Sequence, residues 1–598
     1  MHGCYGRLLH IDLTRQRFSI QGLEEESLRR FLGGKGLASH FLATLNPPRV
    51  EPLSPDNRLI FATGPVCASL IWGSSRYGVF TKSPQTGFYS ESYAGGRVPE
   101  ALDAAGYDCV VVTGKNPKPT VLVVHPQGAS FHDAGDLWGL DTHETERMLM
   151  DRFATAGPKK VRTGVVVIGP AGENQVCFSV IENDYWRSAG RTGAGAVMGS
   201  KGLKAIVFQG NRRRRPADGK AVRTLSKQLA QDCKGHPQVE SYKTRGTPGM
   251  VKLMNQVGAF PTRYWSQGTY ENWQSISAEA LHGQCQVRPR ACLKCFMACG
   301  RMTTVTKGRH AGLKLEGPEY ETIYAFGGLC AVDSIEEIIY LNDLCDRLGM
   351  DTITAGNLCG LTIEAARRGK VNEQIDYGQV DAVAALLKKI AFRQEIGDIL
   401  AQGIKAAAKE WALEDIAVHV KGLEPAGYDP RVLKGMGLGY ATSDRGACHL
   451  RATFYKPELS GMIDPAAVEG KAAMFVDFED RLTLFDSLIL CRFYRDLYPW
   501  DALCEIVEGI TGLGADETSL RKISGRISDV VRRFNIQEGL RPAHDNLPAR
   551  LHKEPLEKGH LIGKAELNTM IADYYRLRGW DEEGTPGPFE DGEEWKGS

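Results

Sequence analysis

An α+β protein is predicted, with twisted, mainly antiparallel sheets over residues 1–210 followed by two mainly α-helical domains over 211–421 and 422–598. Three observations predict it. Short apolar runs bounded by Gly, Pro and Asn fill the first third of the chain, which is a strand signature. From Ala221 the apolar residues recur at spacings of three and four, the period of a helix. A further shift near Gly422-Leu-Glu-Pro-Ala-Gly-Tyr-Asp-Pro430 sets off a second helical stretch. Length alone suggests on the order of three or four domains.

The expected strands include Gly6-Arg-Leu-Leu-His-Ile-Asp-Leu13, Arg58-Leu-Ile-Phe-Ala-Thr63, Cys109-Val-Val-Val-Thr113, Thr120-Val-Leu-Val-Val124 and Gly164-Val-Val-Val-Ile168. Long helical patterns scarcely alternate with them, so parallel βαβ units are not expected. Three glycine-rich loops interrupt the strands. The first is Leu32-Gly-Gly-Lys-Gly-Leu37, after a short helical pattern ending at Phe31. The second runs through Gly73-Ser-Ser-Arg76-Tyr-Gly, Thr81-Lys-Ser-Pro and Glu91-Ser-Tyr-Ala-Gly-Gly96, and the third is Arg187-Ser-Ala-Gly-Arg191-Thr-Gly-Ala-Gly. Glycine lets backbone amides approach a ligand, and Arg supplies fixed charge, so an anionic cofactor is the natural occupant. Ordinary turn chemistry is the competing explanation. Gly193-Ala-Gly195 lacks the strand-turn-helix context of a dinucleotide fingerprint. Asn211-Arg-Arg-Arg-Arg-Pro216 reads as a solvated linker at a domain boundary.

Helical periodicity then covers 222–233, 334–348, 380–390 and 397–411, and later 472–490 and 519–534. Between the first two lies Cys292-Leu-Lys-Cys295-Phe-Met-Ala-Cys299, expected in a loop. Thiols this close do not bridge one another without strain, whereas an iron–sulfur cluster gathers them. Zinc would want a second close pair of ligands, which His282 and His310 do not provide, and plain packing suits neither Lys294 nor Arg288 and Arg290. A cluster would need a distant fourth ligand. Glu316, Glu319 and Glu321 follow, and burial of one would raise its pKa toward proton transfer. His449, between Arg445 and Arg451, is expected to be depressed by their charge. The aromatic residues of Phe260-Pro-Thr-Arg-Tyr-Trp265 suit either a pocket or a core, and the acidic tail from Gly579 reads as surface or disorder.

Composition narrows the class. A formal charge of +1 gives no pull toward nucleic acid, and fifteen Cys in no framework-like spacing suit a reducing compartment. Arg7, Asp12 and Arg15 interrupt any signal-peptide core, and no apolar run reaches the ~20 residues of a membrane span. A soluble, cytoplasmic protein is expected.

With these motifs in view, the sequence resembles the aldehyde:ferredoxin oxidoreductase family of tungsten (sometimes molybdenum) bis-pterin enzymes. The resemblance runs from Gly6-Arg-Leu-Leu-His-Ile-Asp-Leu13 and Gly-Gly-Lys-Gly through Thr81-Lys-Ser-Pro and Gly193-Ala-Gly-Ala-Val-Met-Gly-Ser-Lys201 to Tyr574-Tyr575 and Arg578-Gly-Trp580. It implies that the N-terminal sheets bind the bis-pterin cofactor. It makes Cys292, Cys295 and Cys299 ligands of a [4Fe–4S] cluster, with Cys491 as the fourth. The family's two pterin segments, D-x-x-G-L-[CD], correspond to Asp346-Arg-Leu-Gly-Met350-Asp351 and to Asp486-Ser-Leu-Ile-Leu490-Cys491, followed by Arg492. Ile489 replaces Gly in the second, where a β-branched residue disfavours positive φ.

By the same resemblance Arg76 lies between cluster and pterin, Tyr93 and Gly95 contact the cofactor, and Arg187, Ser188, Gly190 and Arg191 form its phosphate loop. A Mg²⁺ is implied between the two phosphates, held partly by backbone carbonyls. Glu321 would be the carboxylate base and His449 the imidazole beside the metal, acting on an aldehyde or carboxylic acid, with ferredoxin or an electron-transfer subunit taking the electrons. The family's Glu-x-x-His dimer bridge is replaced by Tyr340-Leu-Asn-Asp343, so an oligomer, if formed, lacks it. Two alternatives remain: a low-potential reductase subunit acting on an aromatic acyl-CoA, prompted by Cys330, and a cluster-bearing electron-transfer or scaffold protein.

Overall fold

The computed structural model describes residues 1–154 and 161–589. Apolar runs bounded by turn residues form β1 (Arg7–Asp12), β2 (Arg17–Gly22), β3 (Leu59–Ala62), β4 (Tyr77–Lys82), β5 (Tyr89–Ala94) and β6 (Cys109–Thr113), one sheet in the order β2-β1-β6-β3-β4-β5. A second sheet holds β7 (Thr120–His125), β8 (Gly128–Asp133), β9 (Arg162–Val167), β10 (Ile181–Asn183), β11 (Arg187–Ala189) and β12 (Leu203–Gly210), in the order β11-β10-β9-β12-β7-β8.

Read from its other end, the second sheet repeats the first strand for strand. Each half begins with an antiparallel hairpin, β1/β2 or β7/β8, and pairs its first strand in parallel with its last, β1/β6 or β7/β12. The remaining pairings are antiparallel in both halves. The sheets are therefore mainly antiparallel, but each contains one parallel pair that the strand pattern did not foretell. The N-terminal region is a structural duplication.

The two sheets pack face to face. Leu9, Ile11, Phe61 and Val79 of the first meet Leu122, Val166, Ile206 and Phe208 of the second, and the Phe61 and Phe208 rings lie 5.7 Å apart. Their outer faces are covered as well. Ile60, Phe80 and Val111 pack on the helices Gly34–Leu45 and Glu517–Gln537, and Val121, Val165 and Val207 pack beneath Leu149 of the helix Thr142–Phe153. Strands buried on both faces need continuous rather than alternating apolar residues, which accounts for Val110-Val-Val112 and Val121-Leu-Val-Val124.

Beyond these sheets a small one, β13 (Cys285–Arg290), β14 (Gly300–Val305) and β15 (Lys314–Glu316), carries the cysteine motif in its β13–β14 connection. Helices follow, among them Ile335–Leu348, Thr352–Arg367 and Lys471–Leu488. One apolar cluster joins residues on either side of position 422, from Ala171 to Trp580, and takes in Phe260, Tyr264 and Trp265. Those aromatics are core. No helix among the described residues is long and apolar enough to cross a membrane.

Three sequence expectations change. The periodic stretch 397–411 is two helices, Gly397–Ala401 and Ile404–Trp411, because Gly403 between them has φ +91°. The arginine run is not wholly solvated: Arg214 is buried, its Nε 2.5 Å from Asp103 and its Nη1 2.6 Å from Asp108. The tail, as far as it is described, folds back, with the Gly584 carbonyl accepting from Arg532 Nε at 2.8 Å. Residues 590–598 lie outside the described chain.

Candidate active site

The duplicated halves bring matching strand ends together. β5 runs out into Gly95 and β11 into Gly190, each after an alanine. The ends are cross-braced: Ser92 Oγ donates to the Gly190 carbonyl at 2.6 Å, and Asn183 Nδ2 donates to the Gly95 carbonyl at 3.0 Å. Ser83 Oγ, from the Thr81-Lys-Ser-Pro stretch, donates to the Thr192 carbonyl at 2.8 Å. Gly95 admits a close approach, since a Cβ there would stand 3.0 Å from Cys292 Sγ and 3.7 Å from Arg76 Nη1. Arg191 and Thr192 have φ +66° and +60°, a turn that aims the Arg191 side chain inward.

Each half also receives one helix end. The helix Ile335–Leu348 closes at Gly349, φ +76°, whose N–H and that of Met350 both donate to the Cys345 carbonyl, at 2.8 and 3.0 Å. This is a left-handed C-cap. The helix Lys471–Leu488 closes the same way at Ile489, φ +67°, with Leu490 N–H donating to the Phe485 carbonyl at 2.7 Å. Ile489 thus adopts the conformation its β-branch disfavours, with its side chain buried. Glycines make both landings possible: a Cβ on Gly169 would lie 2.9 Å from the Arg347 carbonyl, and one on Gly33 3.2 Å from the Ser487 carbonyl. The first glycine loop therefore abuts helix backbone and does not cradle an anion.

Between these parts lies a cavity of about 400 Å³. Arg76, Tyr93, Gly95, Arg187, Ser188, Gly190, Arg191, Asp346, Met350, Asp351, Asp486 and Arg492 line it, as do Glu321, His449 and all four thiols, Cys292, Cys295, Cys299 and Cys491. Leu490 does not. It packs in the core beside Phe485 and Leu503, and it contributes the cap N–H rather than a cavity surface.

Buried arginines dominate the walls. Arg191 Nε is 3.4 Å from Asp351 Oδ2, Arg492 pairs with Asp486, and Arg451 pairs with Glu91 and stands 3.6 Å from Asp486. Arg445 donates to the Glu91 carbonyl and, at 3.0 Å, to Cys448 Sγ. Several of their donors have no hydrogen-bond partner: Arg191 Nε and Nη1, Arg445 Nε, Arg451 Nε and Nη2, and Arg492 Nε. Buried donors are otherwise satisfied in native structures, so this convergence fits a polyanionic ligand. Glu91 was not singled out by sequence, nor was Lys35 Nζ, 3.1 Å from both Glu91 and Asp444. Both lie inside the glycine loops, but nothing local marks them; their further partners, Asp444, Arg445 and Arg451, are hundreds of residues away. Arg445 and Arg451 were noted only as neighbours of His449.

The cluster side differs. Tyr494 O–H donates to Cys295 Sγ at 3.5 Å, and Cys491 N–H donates to the Gly73 carbonyl at 2.9 Å. Burial pushes the Cys299 thiol well above its usual range and Cys295 upward, with Cys491 adding to both. Thiols in such surroundings ionise readily only against a cationic centre. No three His, Cys, Asp or Glu side chains among the described residues are grouped to hold a single metal ion. The four-thiol rim suits a cluster that offers each thiolate its own iron. Arg187 pairs with Glu316; burial opposes its charge, but Cys292 and Glu316 hold its pKa up.

At the cavity's far side, His449 Nε2 is 3.7 Å from Glu321 Oε1, beyond hydrogen-bond length, while Gly427 N–H donates to Glu321 Oε2 at 3.0 Å. Burial pushes the Glu321 carboxyl up to about 7, against the pull of the Gly427 N–H and Arg191. His449 lies well below its usual value: burial comes first, then Arg191, Arg445 and Arg492. Arg451 is not among those causes, so the expected flanking pair acts only through Arg445. At neutral pH the imidazole is uncharged and the carboxyl is poised to exchange a proton. Cys330 is elsewhere, fully buried in the core with its Sγ 3.4 Å from the Gly356 carbonyl.

Comparison with known proteins gives a consistent picture. Residues 8–210 match the family described as aldehyde ferredoxin oxidoreductase, N-terminal domain, and residues 224–590 match aldehyde ferredoxin oxidoreductase, domains 2 and 3. The chain is 35% identical to the tungsten-containing aldehyde ferredoxin oxidoreductase of Pyrococcus furiosus, over 98% of this chain and 97% of that one. It is 34% identical to the Thermococcus kodakarensis protein of the same description, again over 98% and 97%. Among solved structures, the active-site complex of a benzoyl coenzyme A reductase with 1,5-dienoyl-CoA superposes with a TM-score of 0.83 at 24% identity, covering 98% of this chain and 96% of that one, which shows a shared fold.

Proposed function

The chain belongs to the aldehyde ferredoxin oxidoreductase family of oxidoreductases, and on that premise we propose that it oxidises an aldehyde to the carboxylic acid, or reduces the acid, at a tungsten (or molybdenum) bis-pterin. The observation that carries this is the Glu321–His449 pair facing a cavity whose walls hold unpartnered buried arginine donors. Arg191, Arg445 and Arg492 would hold the cofactor's anionic groups, and Asp346 and Asp486 its pterin N–H groups. The Tyr93 and Ser188 carbonyls would help hold a Mg²⁺ that offsets the cofactor's phosphate charge. Bound there, the cofactor supplies Lewis acidity and accepts two electrons. Cys292, Cys295, Cys299 and Cys491 would hold a [4Fe–4S] cluster for one-electron exit toward ferredoxin, with Arg76 between it and the pterin.

The protein's own part is proton handling and exclusion of water. Glu321 as carboxylate takes a proton from the substrate or its hydrate; neutral His449 orients the carbonyl by hydrogen bonding. Tyr428, its ring 5.8 Å from His449 and stacked on Tyr455 at 4.2 Å, closes the apolar side. The acyl-CoA reductase alternative loses its motive, because Cys330 does not reach the cavity. Tyr340 stacks on His310 and Asp343 pairs with Arg347 at 2.8 Å, so the stretch replacing the family's dimer bridge is engaged within the chain. We place the protein in the cytoplasm. Anaerobic purification tests the proposal: tungsten or molybdenum near stoichiometry with iron, and aldehyde-dependent viologen reduction, are expected. A cofactor-replete preparation containing zinc alone would sink it.

A further inference from the structure

Electrons must leave where the cluster loop comes nearest to solvent. That place is the two-residue tip between Cys292 and Cys295. Leu293 is 46% exposed, and Lys294 beside it is exposed too. The tip forms one wall of a second cleft, about 550 Å³, outside the site already described. Leu70, 39% exposed, stands on the same cleft, and Arg213 and Arg223 rim it. Charge there is unbalanced. The cleft's acidic residues are already engaged, Glu100 with Arg162 at 3.6 Å and Asp103 with Arg214 at 2.5 Å. Arg213, Arg223 and Lys294 have no ion pair among the described residues.

The cleft is also tied firmly to the cluster. Gly73 N–H donates to the Lys294 carbonyl at 2.8 Å, and the Gly73 carbonyl accepts from Cys491 N–H at 2.9 Å, so one residue braces both sides of the thiol set. Trp72 Nε1 donates to the Ser226 carbonyl at 2.9 Å, fixing this loop to the helix Gly219–Asp232 that carries Arg223.

From this we infer that the Leu70–Leu293 cleft is the docking surface for an acidic one-electron carrier protein of the ferredoxin kind; the inference rests on the function proposed above. A rim of unpaired cations steers an acidic partner and sets its orientation. Two exposed leucines give the small apolar centre that suffices for the low-area contacts of transient redox complexes. The position of Leu293 between two thiols puts that centre on the shortest way out of the cluster.

The test is the holoenzyme variant Arg213→Glu/Arg223→Glu, assayed with aldehyde and either an acidic ferredoxin or methyl viologen. The KM for ferredoxin should rise about tenfold or more at low ionic strength, and its salt dependence should flatten. Turnover with viologen should not change. An unchanged ferredoxin KM, or an equal loss with viologen, overturns the surface. Calorimetric titration with oxidised ferredoxin reads the surface without turnover. Loss of binding in the variant supports it even if the wild-type protein proves inactive on aldehydes, a result that would overturn the function alone. Binding of ferredoxin equal in both proteins, or burial of this cleft in a dimer of the chain in solution, overturns it.

Discussion

The two halves of the N-terminal region share one strand order and receive one helix end each, yet the aspartates of those two helix ends sit in different electrostatic surroundings. On the second half, Asp346 has Asn342 Nδ2 at 2.8 Å for a partner and no ion pair among the described residues, and burial with Glu182 and Asp343 nearby holds its carboxyl well above the usual range against the weaker pull of Arg347. On the first half, Asp486 is paired with Arg492 and near Arg451. The second half's segment ends in Asp351, which caps the helix Thr352–Arg367; the first half's ends in Cys491, one of the four thiols that line the cavity. Backbone geometry is duplicated and chemistry is not. A fold can keep a ligand cradle while each copy specialises, because the cradle depends on a C-cap and a glycine landing, and the chemistry on a few side chains.

The largest expected effects break this contrast at the segment ends. Cys491→Ser should remove the cluster, with loss of its iron and visible absorbance and a fall in aldehyde-dependent dye reduction of more than about 100-fold. Asp351→Asn, which keeps a competent N-cap, should cost about tenfold or less. If the two lost activity equally, the division between electron exit and cofactor holding would fail.

Next come the reacting groups, one per half. Glu321 belongs with the second segment, through Thr322 Oγ1 at 2.9 Å from Thr352 Oγ1; His449 belongs with the first, between the arginines that engage Glu91. Glu321→Gln should lower kcat by about 10²–10⁴ and abolish the rise of activity with pH through about 7. Because burial raises its folded pKa above the unfolded one, Glu321 destabilises the fold increasingly from the unfolded pKa up to about 7, and constantly above. Thermal melting of Glu321→Gln at pH 8 should accordingly be higher than wild type. A lower melting point would mean the carboxylate is stabilising.

The same sign applies to Asp346, whose raised pKa makes Asp346→Asn neutral or slightly stabilising in the cofactor-free protein at neutral pH. Asp486→Asn leaves buried arginines uncompensated and should cost about 3 kcal/mol. Equal melting shifts for the pair would erase the electrostatic difference between the halves. Smallest are the cap exchanges. Gly349→Ala, at φ +76° with a Cβ 2.9 Å from Gly169 N, should cost about 1–3 kcal/mol. Ile489→Gly relieves strain but loses a buried side chain, for a net cost of about 1–2 kcal/mol. Stabilisation by Ile489→Gly would show that packing does not hold that cap.

Local chemistry was legible in the sequence. Three thiols in eight residues, the helical period over 334–348 and turn-bounded valine runs express themselves within a few residues, and each appears where its pattern placed it. Gly403 splitting a helical stretch was a local signal too, overlooked because the apolar period continues across it. By itself the sequence determined the element types, the short-range ligand spacing and the helix-end segments, since these depend on neighbours along the chain. Only the tertiary structure decided that the sheets are two copies of one unit, because burying both faces of a strand asks for apolar residues and not for particular ones, so the repeat survives in topology after its sequence has diverged. It alone joined Lys35, Glu91, Arg445 and Arg451 into one buried network, put Leu490 outside the cavity and decided for packing at Cys330, because ion pairs and burial are settled by residues far apart along the chain.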